Sequence, residues 1–385
     1  MATKKKILKP KKSQDFFQIP DLSDELSIIC DKINDFTTMD VQQSHLIVPT
    51  IFTSFNRAIQ IGGAPTGCLW LVYGPWGQGK TAFTLGMIIS FLISGNPALF
   101  IDAEHAADTQ NWFKALGGSG LLRNCLYYKP KSYEDTVERV FTAINNFNNA
   151  KLEGKIAPDK CFIIVLDSIN KLVPENELAD LLKIGKGYPI RALFNSLFTD
   201  KLTPVVGSSN VAFVMIAQER EKLDAQVFER ASRVKGGEAI KFDSSVMVRV
   251  TRGESIKEQK GTGKSAKKFV TGYKHNAVIE KNKVGPCFEH FNFFTSNGKG
   301  SVPLGFDTAR EVTEEGILRK VIAKSGTSYF LPNTVPVNDD NMKFVGKENV
   351  MQYLRENPEQ LHAMIHYMNE QTAALVEDQE DLEDD

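Results

Sequence analysis

Between residues 46 and 300 the chain sets short, wholly apolar runs against longer stretches of helical periodicity. Leu69–Val72 is apolar at every position, as are Ala98–Ile101 before Asp102, Cys161–Leu166 before Asp167, and Val211–Ala217 before Gln218. A half-exposed strand alternates; a strand apolar throughout is buried on both faces, as in a parallel sheet covered by helices. Phe83, Leu85, Met87, Ile88 and Leu92 follow the first run at helical spacing, so the pattern there is strand, turn, helix. Segments 245–251, 276–279 and 288–294 also read as strands, and the lysine-rich stretch between the first two reads as the long loop of an antiparallel hairpin. From Glu314 the period turns helical through Ile317, Val321 and Ile322, then Val350, Tyr353 and Leu354, then Leu361, Met364, Ile365 and Met368. Ahead of the core, Leu22, Leu26, Ile29 and Ile33 predict a short amphipathic helix that packs on the core or on a neighbouring subunit. The alternation predicts an α/β fold with a mostly parallel central sheet, preceded by a short helical arm and followed by a small α/β domain.

Composition leaves that picture standing. With 42% hydrophobic and 24% charged residues the chain suits a globular protein, and no apolar run approaches a membrane span. Lysines 4, 5, 6, 9, 11 and 12 precede no apolar segment, so they form no secretory signal and the cytoplasm is the expected compartment. Cys30, Cys68, Cys125, Cys161 and Cys287 are scattered without a C-x-x-C, which argues for buried thiols over disulfides or zinc. A net charge of -1 hides a basic arm, a basic stretch at 252–275 and an acidic end from Glu377, so charge leaves room for a polyanionic partner. The expected division is 1–45 arm and helix, 46–312 core, 313–372 small domain and 373–385 unstructured acidic tail.

Chemistry enters between the first strand and its helix. Gly74, Gly79, Lys80 and Thr81 fulfil G-x-x-x-x-G-K-[ST], with Gly77, Gln78 and Ala82 completing the loop. Glycines let backbone N–H groups approach a triphosphate at the positive end of a helix, where Lys80 reaches the outer phosphates and Thr81 ligates Mg²⁺. The stretch 261–265, GTGKS, lacks the first glycine because position 258 is Glu, and reads as a basic loop. Asp102, Glu104 and Asp167 close parallel strands on the edge where such sheets carry their chemistry. Asp167 is either a Walker B acid toward Mg²⁺ or a helix-capping residue, and Gln218 either senses a γ-phosphate or is a plain loop residue.

Several segments taken together resemble the bacterial RecA recombinase family: GAPTGCLWLVYGPWGQGKT at 63–81, FIDAEHAAD at 100–108, VLDSINKL at 165–172, GGEAIKF at 236–242, EKNKVGP at 280–286, GILRKVIAKSG at 316–326 and GKENVMQYLRENPE at 346–359. Their order is far more specific than a phosphate loop alone. The resemblance implies a RecA-like P-loop ATPase core, ATP and Mg²⁺ as cofactors, and DNA-dependent hydrolysis serving recombination, repair and the SOS response. Glu104 is then the residue that activates the attacking water, while Lys80, Thr81 and Asp167 hold phosphates and Mg²⁺. Lys281 and Lys283 arrive from the adjacent subunit like arginine fingers; from their residue type alone they are equally solvated strand-end lysines. Asp108 contacts adenine, and Trp112 either stacks on it or belongs to the core. Gln218 joins the γ-phosphate to a DNA-binding loop at 219–235, and Phe242 relays the state across the subunit interface. A first loop at 174–189 brings Lys183 and Lys186, followed by Arg191. With Arg220, Lys222, Arg230, Arg233 and Lys235 they line a channel for single-stranded DNA, where Phe228 wedges or stacks.

The implied partners are single-stranded DNA, homologous duplex DNA, further copies of the chain in a helical filament, a single-strand-binding protein and loading factors, with no membrane. The implied place is the nucleoid, or the host cytoplasm for a phage-encoded protein. Departures point to such a divergent member: Trp76, Gly77 and Gln78 stand where the bacterial enzymes carry Glu-Ser-Ser, Ala82 replaces a second Thr, and the 219–235 loop lacks the usual glycines. A hexameric helicase of related core is one alternative, weakened by the short segment before the core; a DNA-binding filament without strand exchange is another.

Overall fold

The computed structural model describes residues 45–105, 122–175, 190–221, 232–234, 239–260, 267–332 and 342–383. Strands β1 (Ile47–Val48) and β2 (Ala64–Pro65) pair across the helix Thr53–Ala58. Then come β3 (Cys68–Gly74), the helix Lys80–Ile93, β4 (Ala98–Asp102), β5 (Cys125–Tyr128), the helix Tyr133–Leu152, β6 (Phe162–Asp167), the helix Ile190–Gly207, β7 (Val211–Glu221), β8 (Ser232–Val234) and the short helix Ala239–Asp243. Four further strands, β9 (Val246–Lys260), β10 (Lys267–Asn282), β11 (Glu289–Ser296) and β12 (Gly305–Phe306), complete a ten-stranded sheet. Its order is β12-β11-β10-β9-β3-β7-β6-β4-β5, with β8 attached to β7 off that path. From β9 through β3, β7, β6 and β4 to β5 neighbouring strands are parallel; β9 to β12 are antiparallel.

Period-two alternation sorts the central strands into two cores. Trp70 and Val72 of β3 face one side with Val214, Ile163 and Val165, beneath Phe83, Met87, Ile88 and Phe91 of the helix Lys80–Ile93. Leu69 and Leu71 face the other with Phe213 and Ile164, beneath Val140 and Ile144 of one helix and Phe198 and Leu202 of another. Both faces are dry, which is why these strands read as unbroken apolar runs. The helix Lys80–Ile93 is thereby pinned directly behind β3, and its N-terminus is fixed relative to the sheet edge. A third core gathers Val312, Ile322, Val350, Leu354, Met364 and Met368 around β13 (Ala323–Ser325), β14 (Ser328–Phe330), β15 (Lys343–Val345) and the helices Thr308–Leu318, Lys347–Glu356 and Pro358–Glu383.

Four expectations are corrected. The expected basic loop at 252–275 is mostly ladder: β9 runs to Lys260 and β10 starts at Lys267, with only 261–266 outside the described residues. Lysines disfavour a buried strand, but Lys257, Lys260, Lys267 and Lys268 are exposed, and a ribbon wet on its outer face tolerates them. The helix read from Glu314 starts at Thr308, capped by the Asp307 carboxylate accepting from the Arg310 N–H. The last helix carries the backbone through Glu377 to Glu383, where an unstructured tail was expected. Cys287 is exposed and Cys125 half-buried, whereas Cys68 and Cys161 are buried as expected. The helix expected at 22–33 and Cys30 lie outside the described residues. Among those described, no helix is long and apolar enough to cross a membrane.

Glu311 ties this third core to the helix Thr53–Ala58. Its carboxyl receives the Ser54 N–H at 2.7 Å and the Thr53 hydroxyl at 2.9 Å, and burial pushes its pKa up to about 7 despite those bonds. A folded-state pKa above the unfolded one means that folding takes up a proton. The contribution is therefore full below the ordinary glutamate range and lost as pH rises through about 7. Thermal unfolding without added ligand should accordingly show higher stability at pH 6 than at pH 8. Glu311→Gln, which keeps an acceptor for Ser54 and a donor toward Thr53, should remove on the order of 1–2 kcal/mol of that difference. An unchanged pH dependence in this variant would refute the assignment.

Candidate functional site

The parallel strands deliver their polar ends to one edge. Register sets Gly74 beside Gln218, and Asp102 beside Asp167. At Gly74 (φ 151°) an added Cβ would stand 2.1 Å from the Val250 carbonyl oxygen, so the chain can leave β3 here only as glycine. Gly79 (φ 102°) is the N-cap of the helix Lys80–Ile93, and that helix has no acidic residue in its first turn. The helix Tyr133–Leu152 is built the other way: Ser132 accepts the Asp135 N–H, and Glu134 and Asp135 occupy its first turn. One helix end is closed by its own side chains, while the other presents free N–H groups and the positive end of its dipole to an anion.

Lys80 donates to the Pro75 carbonyl at 2.7 Å, within its own loop. Burial lowers its pKa, against the opposing charges of Asp167, Glu104 and Glu219. The Thr81 hydroxyl donates to Asp167 Oδ2 at 2.6 Å. Burial, aided by Glu104 and Asp102, raises the Asp167 pKa to about 7, with the Thr81 bond pulling the other way. A carboxylate so desolvated is ionised at neutral pH most readily when a cation joins it. Thr81 and Asp167 supply hard oxygen donors of the kind Mg²⁺ uses alongside phosphate oxygens. Among the described residues no cluster of three or more His, Cys, Asp or Glu is placed to hold a metal ion. Glycine cradle, helix end, lysine and oxygen pair therefore fit a nucleotide triphosphate with Mg²⁺.

Glu104 sits beyond the end of β4, where the Asp167 carbonyl accepts both the Ala103 N–H at 2.7 Å and the Glu104 N–H at 3.1 Å. One of its carboxylate oxygens, Oε1, accepts the Ser168 hydroxyl at 3.0 Å and Gln218 Nε2 at 3.1 Å. The Gln218 N–H in turn donates to Asn170 Oδ1 at 2.7 Å. Three residues later β7 ends, having paired with β8 at Arg220↔Arg233. A chain of direct bonds thus runs from the carboxylate to the base of the 219–235 segment. Ser168 and Asn170 were missed as site residues; two polar side chains immediately after Asp167 were the available signal.

Lys281 and Lys283 lie elsewhere. Lys281 is in register with Met247, which pairs with Leu71, and the Lys283 N–H donates to the Ser245 carbonyl, whose own N–H donates to Leu69. Lys281 stands level with the middle of β3 and Lys283 with its start, whereas the phosphate loop leaves from the strand's end, three and five residues or roughly 10 and 17 Å further on. Lys281 Nζ donates to the carbonyls of Lys241 and Phe242 at 2.8 and 2.7 Å, capping the helix Ala239–Asp243, and burial followed by the charge of Lys283 lowers its pKa. Lys283 is exposed, and Phe242 is 73% exposed at the same edge.

Of the residues expected on DNA, Arg191 lies in the first turn of the helix Ile190–Gly207, and Arg220 and Arg233 are backbone partners in the β7–β8 ladder. Asp108, Trp112, Lys183, Lys186, Lys222, Phe228, Arg230 and Lys235 lie outside the described residues.

The family model for the RecA N-terminal domain matches residues 30–301. Protein RecA of Paracoccus denitrificans is 31% identical over 308 residues, covering 80% of this chain and 76% of that protein. Protein RecA of Acholeplasma laidlawii is 30% identical over 318 residues, covering 82% and 85%. Protein RecA of Clostridium novyi (strain NT) is 31% identical over 327 residues, covering 84% and 83%.

Proposed function

The chain belongs to the RecA family, and from that premise we propose that it is an ATP-dependent recombinase that assembles into helical filaments on single-stranded DNA and pairs that strand with homologous duplex. The observation that carries the proposal is the offset of Lys281 and Lys283 from the phosphate loop along the strand direction: they lie level with Leu71 and Leu69, three and five residues behind Gly74, where the loop begins. A site that uses both is then best assembled from different copies. Repeating such a head-to-tail contact builds a polymer unless the rotation happens to close.

In this reading Lys80 and the loop backbone hold the phosphates of ATP, and Thr81 and Asp167 would hold Mg²⁺, which would neutralise charge on the phosphate oxygens. Glu104 orients the attacking water and takes its proton. Ser168 and Gln218 keep that carboxylate aimed. Lys281 and Lys283 of the next copy add positive charge at the γ-phosphate. Gln218 passes the state of the site into the 219–235 loop, and this loop with 174–189 and Arg191 grips the DNA backbone through charge. The cytoplasm, at the nucleoid, is the matching place.

Electron microscopy on single-stranded DNA with a slowly hydrolysed ATP analogue, paired with a strand-exchange assay, tests the proposal. Helical filaments that exchange strands are expected; closed rings, or filaments without exchange, would overturn it. Gln218→Ala should keep ATP binding while losing most of the acceleration of hydrolysis by single-stranded DNA. Undiminished acceleration in that variant would remove Gln218 from the link.

A further inference from the structure

The phosphate loop leans on side chains that its own motif does not contain. Arg252 of β9 and His275 of β10 face each other in the hairpin register. The Arg252 guanidinium donates to the Gly77 carbonyl, the Arg252 N–H donates to Gln78 Oε1 at 2.5 Å, and His275 Nδ1 lies 2.7 Å from the Gln78 carbonyl oxygen. Both side chains are themselves held. Arg252 lies over the Tyr273 ring at 4.3 Å, and His275 stacks on Phe293 at 4.6 Å while its Nε2 meets the Thr295 hydroxyl at 2.8 Å. A carbonyl only accepts, so Nδ1 carries the proton and Nε2 accepts from Thr295. The ring touches the loop closely enough that a Cβ on Gly79 would stand 2.4 Å from Nδ1.

We infer that Arg252 and His275 are positioning residues of the nucleotide site, fixing Gly77, Gln78 and Gly79 so that the loop is already shaped when phosphate arrives. A loop with left-handed glycines at 77 and 79 has wide conformational freedom, and ordering it on binding would cost affinity. Holding it from outside lowers that cost. His275 suits the task because it is buried, and burial lowers its pKa, against the Gln78 bond and with help from the Arg252 charge. Gln78 is the residue held, through both its backbone and its side chain. His275 belongs to β10, which also carries Lys281 one residue before its end, so the hairpin that shapes a protomer's own loop also carries the lysine it would lend to its neighbour.

The inference rests on the loop being the ATP site, and the test separates the two. Steady-state ATP hydrolysis on single-stranded DNA and direct binding of a fluorescent ATP analogue are measured for the wild type, Arg252→Ala, His275→Ala and His275→Asn. Each alanine variant should raise KM and the analogue's Kd about tenfold, the order expected for losing hydrogen bonds that organise a site, with kcat within about threefold. Asparagine can place a donor where Nδ1 stands, so His275→Asn should recover most of the affinity. Arg252 is exposed, and its alanine variant should fold even if the buried His275 position proves intolerant. Equal KM and Kd in wild type and Arg252→Ala, or no recovery with asparagine in a folded His275 variant, would overturn the inference while leaving the ATP site intact. A wild type that fails to bind the analogue would overturn the ATP site itself.

Discussion

Glu104→Gln is expected to bind ATP within a few-fold of wild type and to lose about 10²–10⁴ in kcat, the range set by removing a general base. The variant isolates chemistry from structure because Ser168 and Gln218 both donate to the same oxygen, Oε1. A glutamine can present its carbonyl to both donors and direct its amide to the other position. The network survives while the capacity to take a proton does not. If, as proposed, ATP holds the filament together until it is hydrolysed, ATP-dependent filaments of this variant should form and persist. Single-turnover hydrolysis by rapid quench checks the prediction, and a kcat within tenfold of wild type would move the base elsewhere.

The second large effect concerns Lys283. Its side chain is exposed and level with the beginning of β3, so Lys283→Ala should leave folding and ATP binding unchanged. Charge delivered in trans to a transferring phosphoryl group is worth about 10³–10⁵ in rate, and a loss of that order is expected on single-stranded DNA. Mixing makes the test sharper. In an equimolar mixture of Lys283→Ala and Glu104→Gln, random assembly places an intact Glu104 against a neighbour's intact Lys283 at roughly a quarter of the junctions. About a quarter of wild-type activity should return, although each variant is inactive alone. A mixture as inactive as its parts would show that both residues act within one chain.

Much of this could be read from residue pattern because the central strands are buried on both faces. Cys68–Gly74, Ala98–Asp102, Phe162–Asp167 and Val211–Ala217 are dictated by burial and leave little to tertiary context. Their polar termini were legible for the same reason: a polar residue at the end of a fully apolar run marks the sheet edge. What escaped is what depends on distant segments. The β9–β10 ribbon was hidden because lysines obscure strand periodicity wherever both strands are wet. Arg252 and His275 could not be found from the motif, since they reach Gly77 and Gln78 across nearly two hundred positions of chain and no local spacing encodes that contact. Ser168 and Asn170 were adjacent to a recognised acid, but their roles appear only when Glu104 and Gln218 are brought beside them. Lys281 and Lys283 teach the converse. Residue type alone gives solvated strand-end lysines; the resemblance implies a phosphate contact from the adjacent subunit, and the proposal builds on registers that set both lysines back from their own chain's phosphate loop.

In the proposed function, ATP turnover requires two copies of this chain brought together on DNA. Hydrolysis per protomer, followed over a wide range of protein concentration with and without a long single-stranded oligonucleotide, tests it most directly. The rate is expected to rise steeply and cooperatively with concentration, with DNA shifting the rise to much lower protein. A rate per protomer that stays constant down to high dilution and ignores the oligonucleotide would contradict it.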